Sequence, residues 1–385
     1  MNRIYFDNSA TTSVYPEVRE IVCRTMTEDF GNPSSMHMAG VEAENYVKEA
    51  KRVIAKTLRA KEKEIFFTSG GTESNNWALI GAAAAMRRAG THIVTSAEEH
   101  PSVSETLKYL EEQGFSVTRV GVDQYGMLKM DEFEQALTPE TILVSVMYVN
   151  NEVGAVNDPA KLNAIIREKC PRAVFHVDAV QAYGKYEIPV RKCGIDLLSV
   201  SGHKIHGPKG TGFLYKNENV RILPIIRGGG QQDGLRSGTD NVPGIAGLGK
   251  AAELSYAHLT DNREKLYELK AYTRERLAEL DKVVLHGLPG KESAPHIVNA
   301  SFPGVGSEVL LHALEDYGIC VSAGSACSTH KRTKSPTLTA MGAPAEELDS
   351  MIRLSFCETN TKEEIDVMIA ALGKLLPMLR RYRAH

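Results

Sequence analysis

The sequence predicts an α/β protein: a sheet covered by helices, followed by a smaller α+β domain. Three observations lead there. Short, apolar, β-rich runs alternate with stretches of helical periodicity through the first two thirds of the chain. From about residue 255 the pattern changes to long charged helices separated by strand-like pieces. The length, 385 residues, exceeds one average domain.

Taken in order, residues 5–13 form an N-terminal arm rich in small and turn-forming residues, expected to dock near the functional site. A helical pattern at 41–58 precedes the first strand-like run at 65–68, and a helix through Trp77 and Leu79 comes next. Further strand-like runs lie at 92–95, 142–149, 173–177, 197–200 and 212–215, with a helix at 159–169 between them. After residue 255 come a charged amphipathic helix at 261–280 and a final helix at about 362–381. The expected division is an arm at 1–15, a large domain at 16–255 and a small domain at 256–385.

Lys and Arg number 45 against 48 Asp and Glu, so the overall field favours neither non-specific nucleic-acid binding nor attachment to a membrane surface. The first residues, Met-Asn-Arg-Ile-Tyr-Phe-Asp-Asn, lack the apolar core of a secretory signal, and apolar stretches such as 77–86 are too short to span a bilayer. The cytoplasm is the expected location. The six cysteines, at 23, 170, 193, 320, 327 and 357, show neither metal-ligand nor disulfide-framework spacing, so thiols and no metal site are expected. There is no internal repeat or low-complexity tract.

Three strand ends carry complementary polar groups, which is where open α/β sheets place their ligands. Ser-Gly-Gly-Thr-Glu-Ser at 69–74 joins a strand to a helix; Gly71 permits close approach, and the first helical amides with the Thr72 hydroxyl suit an anion. Alone, it is equally explained as a helix cap. Asp178 ends an apolar strand, so its carboxylate needs a partner, either a nearby cap or a cationic ring nitrogen; Gln181 follows one turn later. Ser-Gly-His-Lys at 201–204 follows the next strand. A desolvated Lys204 amine forms a Schiff base with an aldehyde, while Ser201 and His203 donate to a phosphate. Together these groups match the phosphate, ring nitrogen and aldehyde of pyridoxal 5'-phosphate.

That combination resembles the fold type I pyridoxal-phosphate enzymes, which implies a large domain built on a mixed, mostly parallel sheet and a smaller α+β domain. Further segments, Tyr-Phe-Asp-Asn-Ser-Ala-Thr-Thr at 5–12, Gly-Asn-Pro-Ser-Ser at 31–35, Glu-His-Pro at 99–101, Val-Asn-Asn-Glu-Val-Gly at 149–154, Arg-Ser-Gly-Thr at 236–239 and Ser-Ala-Cys at 325–327, look like those of cysteine desulfurases. The resemblance extends over nearly the whole chain. It implies that His100 stacks on the cofactor ring and assists proton transfer, that Asn151 positions the cofactor, and that Lys204 carries it. It implies that Thr239 reaches the phosphate of the other subunit of a homodimer, and that Arg353 and Asn32 bind substrate. Cys327, set among small residues typical of a turn or loop, would attack the sulfur of L-cysteine and hold it as a persulfide, with alanine as the other product.

After Cys327 the chain reads Ser-Thr-His-Lys-Arg-Thr-Lys-Ser-Pro, which departs from the pattern of many iron–sulfur-cluster desulfurases and resembles a branch serving tRNA thiolation. His330, Lys331, Arg332 and Lys334 are candidates for docking a protein sulfur acceptor; a solvated basic loop explains them equally well. Two other functions share these residues: a selenocysteine or cysteine-sulfinate lyase, and a sulfur-relay scaffold or binding protein.

Overall fold

The computed structural model describes residues 3–323 and 335–383. In chain order the elements are β1 (Ile4–Tyr5), α1 (Pro16–Thr27), α2 (Met38–Leu58), β2 (Ile65–Thr68), α3 (Gly71–Met86), β3 (His92–Ser96), α4 (Pro101–Glu112), β4 (Ser116–Val120), α5 (Met130–Ala136), β5 (Thr141–Met147), α6 (Pro159–Lys169), β6 (Val174–Asp178), β7 (Leu197–Ser201) and β8 (Gly212–Lys216). They continue with α7 (Val242–Ala257), α8 (Leu259–Ala278), β9 (Val284–His286), β10 (Ile297–Ser301), α9 (Ser307–Glu315), β11 (Ile319–Cys320), α10 (Pro336–Ala340), α11 (Ala345–Leu348), β12 (Met351–Ser355) and α12 (Lys362–Arg383).

The main sheet has seven strands in the order β2-β8-β7-β6-β5-β3-β4. β8 runs antiparallel to both its neighbours; the other pairings are parallel. Because β8 reverses direction twice, β2 points the same way as β7 and β6, and the carboxyl ends of β2, β6, β7, β5 and β3 share one edge. Strands β5, β6 and β7 are buried along their whole length, as expected of parallel strands covered on both faces. That is why they read as continuous apolar runs rather than alternating ones.

Proline at the first turn marks the start of α1, α4, α6, α7 and α10, where the missing N–H costs nothing. Asp158 and Asn241 cap α6 and α7 by accepting from the amides of Ala160 and Gly244.

A second sheet, β12-β10-β9, is antiparallel and lies against α8 and α9, with α12 packed on those two helices. Its core is drawn from Phe6 and from residues 266–376. The N-terminal arm belongs to this side: β1 pairs in parallel with β11, and Asp7 bridges to Ser355 at the end of β12. Beyond that bridge the arm crosses to the main sheet, where the Thr12 hydroxyl donates to the carbonyl of His203 (3.0 Å). No described helix is long and apolar enough to cross a membrane.

Candidate active site

A cleft of about 480 Å³ opens at the carboxyl edge of the main sheet. Gly71, Thr72, His100, Asn151, Asp178, Gln181, Ser201, His203, Lys204 and Arg353 all line it. Segments separated by more than 250 positions in sequence meet there because β2, β6 and β7 end at one edge of the sheet and the arm bonds to both Lys204 and the end of β12.

At one end, α3 begins without a side-chain cap, after Gly70 with φ 149°. This backbone conformation favours glycine. A Cβ on Gly71 would lie 2.7 Å from Cγ2 of Val180, so the turn is tight as well as unshielded. The first-turn amides, the exposed Thr72, the buried Ser201 and the His203 ring face the cleft from three segments. Burial, reinforced by the Lys204 and Lys209 charges, pushes the His203 pKa down to about 4. A neutral imidazole there is a hydrogen-bond donor without a full charge.

In the middle, Asp178 closes β6 and is buried. Its Oδ2 accepts from Asn75 Nδ2 (2.8 Å) and its Oδ1 from the Val180 amide (3.0 Å). The carboxylate is thereby fixed in orientation with lone pairs left over. Asn75, whose role the sequence reading missed, sits one turn into α3, directly after the glycine motif. Another missed residue, the buried His176, spans Ser145 Oγ (2.8 Å) and Ser199 Oγ (2.9 Å) on the flanking strands. Burial lowers its pKa to about 3, so it is a neutral strut in the strand that carries Asp178.

His100 caps α4 through Nδ1, which accepts from the Ser102 amide (3.1 Å) and lies 2.8 Å from Ser102 Oγ. Burial holds its pKa low, Asp178 opposes the shift, and the Lys204 charge adds to it. Gln181 donates to the Ser9 carbonyl (3.0 Å), and its Oε1 is 3.1 Å from His296 Nε2. Lys204, at the end of the single 3₁₀ turn Gly202–Lys204, donates to the carbonyls of Ser9 and of Ala10 (2.9 Å for Ala10). The arm's involvement here matches its expected docking.

At the far end, Arg353 in β12 is only 2% exposed, so it is no surface ion pair. Its Nη1 donates to the Asn151 carbonyl (2.9 Å) and its Nη2 to Asp7 Oδ1 (2.9 Å). The buried Nε has no hydrogen-bond partner among the described residues. A bound carboxylate would satisfy such a donor, which is costly to leave unmade.

Two predicted residues stay away from this cleft. Asn32 is exposed and accepts from the Ser34 amide (3.0 Å), and Thr239 is exposed beyond the Glu73–Arg236 ion pair (2.9 Å). A single chain places neither at its own site. Cys327 and the basic residues His330, Lys331, Arg332 and Lys334 lie outside the described residues. The flanks of that segment are placed: Ser322 exchanges backbone hydrogen bonds with Arg353 (2.8 and 3.1 Å), and the Ser335 hydroxyl donates to Glu152, next to Asn151.

These residues fit pyridoxal phosphate: an anion cradle that a Cβ would disturb, a buried carboxylate for a ring nitrogen, and a lysine at the next strand end. Comparison with known proteins agrees. The aminotransferase class-V family model matches residues 4–368. A protein named cysteine desulfurase IscS from Methanosarcina thermophila is 44% identical over 98% of this chain and 93% of its own; one of the same name from Clostridium botulinum is 42% identical over 99% and 96%. Among solved structures, a NifS-like protein superposes with a TM-score of 0.92 at 38% identity, covering 98% of this chain and all of the other. Another, described as SspA in complex with cysteine, has a TM-score of 0.80 at 33% identity over 93% of this chain and all of its own. The chain therefore belongs to the class-V aminotransferase family and, within it, to the cysteine desulfurases.

Proposed function

We propose that this protein is a pyridoxal-phosphate-dependent cysteine desulfurase that converts L-cysteine to L-alanine and keeps the sulfur as a persulfide on Cys327. The observation that carries the reading is the meeting of Lys204, Asp178 and the α3 cradle in one cleft, with Arg353 at its far end. Pyridoxal phosphate, when bound, supplies an electron sink conjugated to the substrate's α-carbon. Ser201, His203, Thr72 and the Gly71 turn would hold its phosphate, Asp178 would keep its ring nitrogen protonated, and His100, Asn151 and Gln181 would orient it.

Arg353 binds the substrate carboxylate, directing the α-hydrogen toward Lys204, whose free amine would take the proton. The Cys327 thiolate then attacks the substrate Sγ. A sulfur–sulfur bond forms as the carbon–sulfur bond breaks; the electron pair stays with carbon, which takes up a proton and leaves as alanine. His100, which lines the same cleft, would move a proton there. No external oxidant is needed, because the sulfur passes at the expense of the carbon it leaves.

The reading extends to a homodimer. Support comes from Thr239 and Asn32, which are exposed and do not line their own chain's cleft, and from the exposed apolar side chains of Met26, Phe30, Met36 and Met38 within one short stretch. The division into an arm at 1–15, a large domain at 16–255 and a small domain at 256–385 is supported by the separate second core. The persulfide sulfur would pass to a protein acceptor serving iron–sulfur cluster assembly or tRNA thiolation.

The test is anaerobic turnover of L-cysteine, following alanine and persulfide, with the visible spectrum of each preparation. Wild type is expected to show a cofactor band that Lys204→Ala alters. Alanine and persulfide are both expected to disappear in Cys327→Ala. Unchanged alanine formation in Cys327→Ala would overturn the persulfide route in favour of a lyase.

A further inference from the structure

Behind the turn that carries Lys204 lies a second, smaller cavity of about 30 Å³, room for a water molecule or an ion. Among the described residues, one ligating atom each from His206, Cys357 and Glu358 faces this region, all within 4.8 Å of one another. None of the three takes part in the chemistry above. They come from the β7–β8 loop and from the residues just after β12.

Each group is oriented by a neighbour in the way metal ligands commonly are. His206 Nδ1 lies 2.7 Å from the Ser13 carbonyl, so Nδ1 carries a hydrogen and Nε2 faces Glu358, 3.4 Å from its Oε2. Tyr15 stacks on the His206 ring (4.3 Å between centroids), and its hydroxyl donates to Glu358 Oε1 (2.7 Å). Cys357 Sγ lies 3.1 Å from Thr359 Oγ1. His206 holds the left-handed backbone (φ 63°), uncommon for a residue with a side chain, and this aims its ring at the other two groups.

We propose that His206 Nε2, Cys357 Sγ and the Glu358 carboxylate bind one thiophilic divalent cation of the zinc class. An N, S, O set of three protein ligands with a fourth position left to water is characteristic of that ion. Ligands around zinc stand roughly 3.3–3.8 Å apart, so the three atoms need only a small inward movement. Binding displaces the Cys357 proton to solvent, and burial, which raises that thiol's pKa, opposes this step. Burial lowers the pKa of the neighbouring Lys185 amine to about 8, so it still carries most of its charge near neutral pH and opposes the cation until it gives up that proton. Lys185 donates to the Lys204 carbonyl (3.2 Å), which places the ion in contact with the support of the catalytic turn.

The test uses purified holoenzyme and cobalt(II) as a spectroscopic stand-in, read as a difference spectrum against the same sample before addition. One equivalent is expected to produce a thiolate-to-cobalt charge-transfer band that zinc bleaches. The band is expected to persist in Cys327→Ser and to vanish in Cys357→Ser. His206→Asn, which tolerates the left-handed backbone, is expected to weaken cobalt binding by about tenfold or more while preserving the fold, and Tyr15→Phe by roughly tenfold. No band in wild type would overturn the site and leave His206 and Glu358 as a side-chain pair without a metal. A band that survives Cys357→Ser but is lost in Cys327→Ser would overturn it equally.

Discussion

Arg353 and Glu99 show how burial sets the behaviour of single residues. Arg353 is anchored on two sides, by Asp7 and by the Asn151 carbonyl, so its fork is fixed before any ligand arrives. Lysine at this position keeps the charge and loses the planar donor set. Arg353→Lys is expected to lower kcat/KM for L-cysteine roughly tenfold to hundredfold, matching the ~1.5–3 kcal/mol of a hydrogen bond to a charged group. Most of the loss should lie in KM, as steady-state kinetics would show. Glu99 lies next to His100; its Oε1 accepts from Ser96 Oγ (2.6 Å) and the Met147 amide (2.8 Å). Burial raises its pKa from 4.5 to about 8. Between those values the unfolded chain loses this proton while the folded chain keeps it, so stability falls as pH rises across that window. Glu99→Gln removes the titration. It is expected to gain on wild type by a few kcal/mol, to order of magnitude, between pH ~5 and ~8, seen as a widening difference in melting temperature.

Among the elements, the junction of β2, β7 and β8 is the most constrained. Gly212 opens β8 where that strand passes closest to the cradle: a Cβ there would lie 2.5 Å from the Val200 carbonyl oxygen and 2.7 Å from Cα of Gly70. Both obstacles are backbone, so no rotamer change relieves them. Gly212→Ala is expected to destabilise the protein by ~1–3 kcal/mol, the usual cost of overpacking. It should also weaken cofactor retention by shifting the Gly70 turn. Denaturant melts and the ratio of cofactor to protein after gel filtration would check the two effects separately. A substitution at Gly210, where nothing lies within 4 Å of an added Cβ, serves as the contrast; its positive φ (72°) limits the cost to backbone strain.

For the whole molecule, the arm and the stretch between α1 and α2 matter most. Phe30 is 75% exposed and Met38 71%, an unusual amount of apolar surface to leave in water. If this stretch buries against a second copy, the double substitution Phe30→Asp, Met38→Asp should yield monomers in light scattering. Those monomers should bind pyridoxal phosphate more weakly, because Thr239 of the partner would no longer reach it. Dimers that survive the substitution with unchanged cofactor affinity would remove this stretch from the interface.

Much of this architecture was legible before any coordinates. The strand runs at 65–68, 197–200 and 212–215 fall within β2, β7 and β8, because fully buried strands leave continuous apolar runs. Asp178, Ser201 and Lys204 stand at or just after strand ends, where an α/β sheet exposes its ligand-binding edge. The helix α4 and the strand β4 escaped notice. The Pro101 start signal was present, but β4 is mostly exposed and its run Ser-Val-Thr-Arg-Val carries little burial pattern. Contacts between distant segments were not legible either. Nothing local announces that Asp7 holds Arg353, that Asn75 holds Asp178, or that the carbonyls of Ser9 and Ala10 receive Lys204. The spacing of His206, Cys357 and Glu358 matched no metal motif, and a metal site was not expected. Spacing records neighbours along the chain, whereas these three groups meet because the β7–β8 loop and the residues after β12 both bond to the arm, His206 to Thr12 and Ser13 and Glu358 to Tyr15.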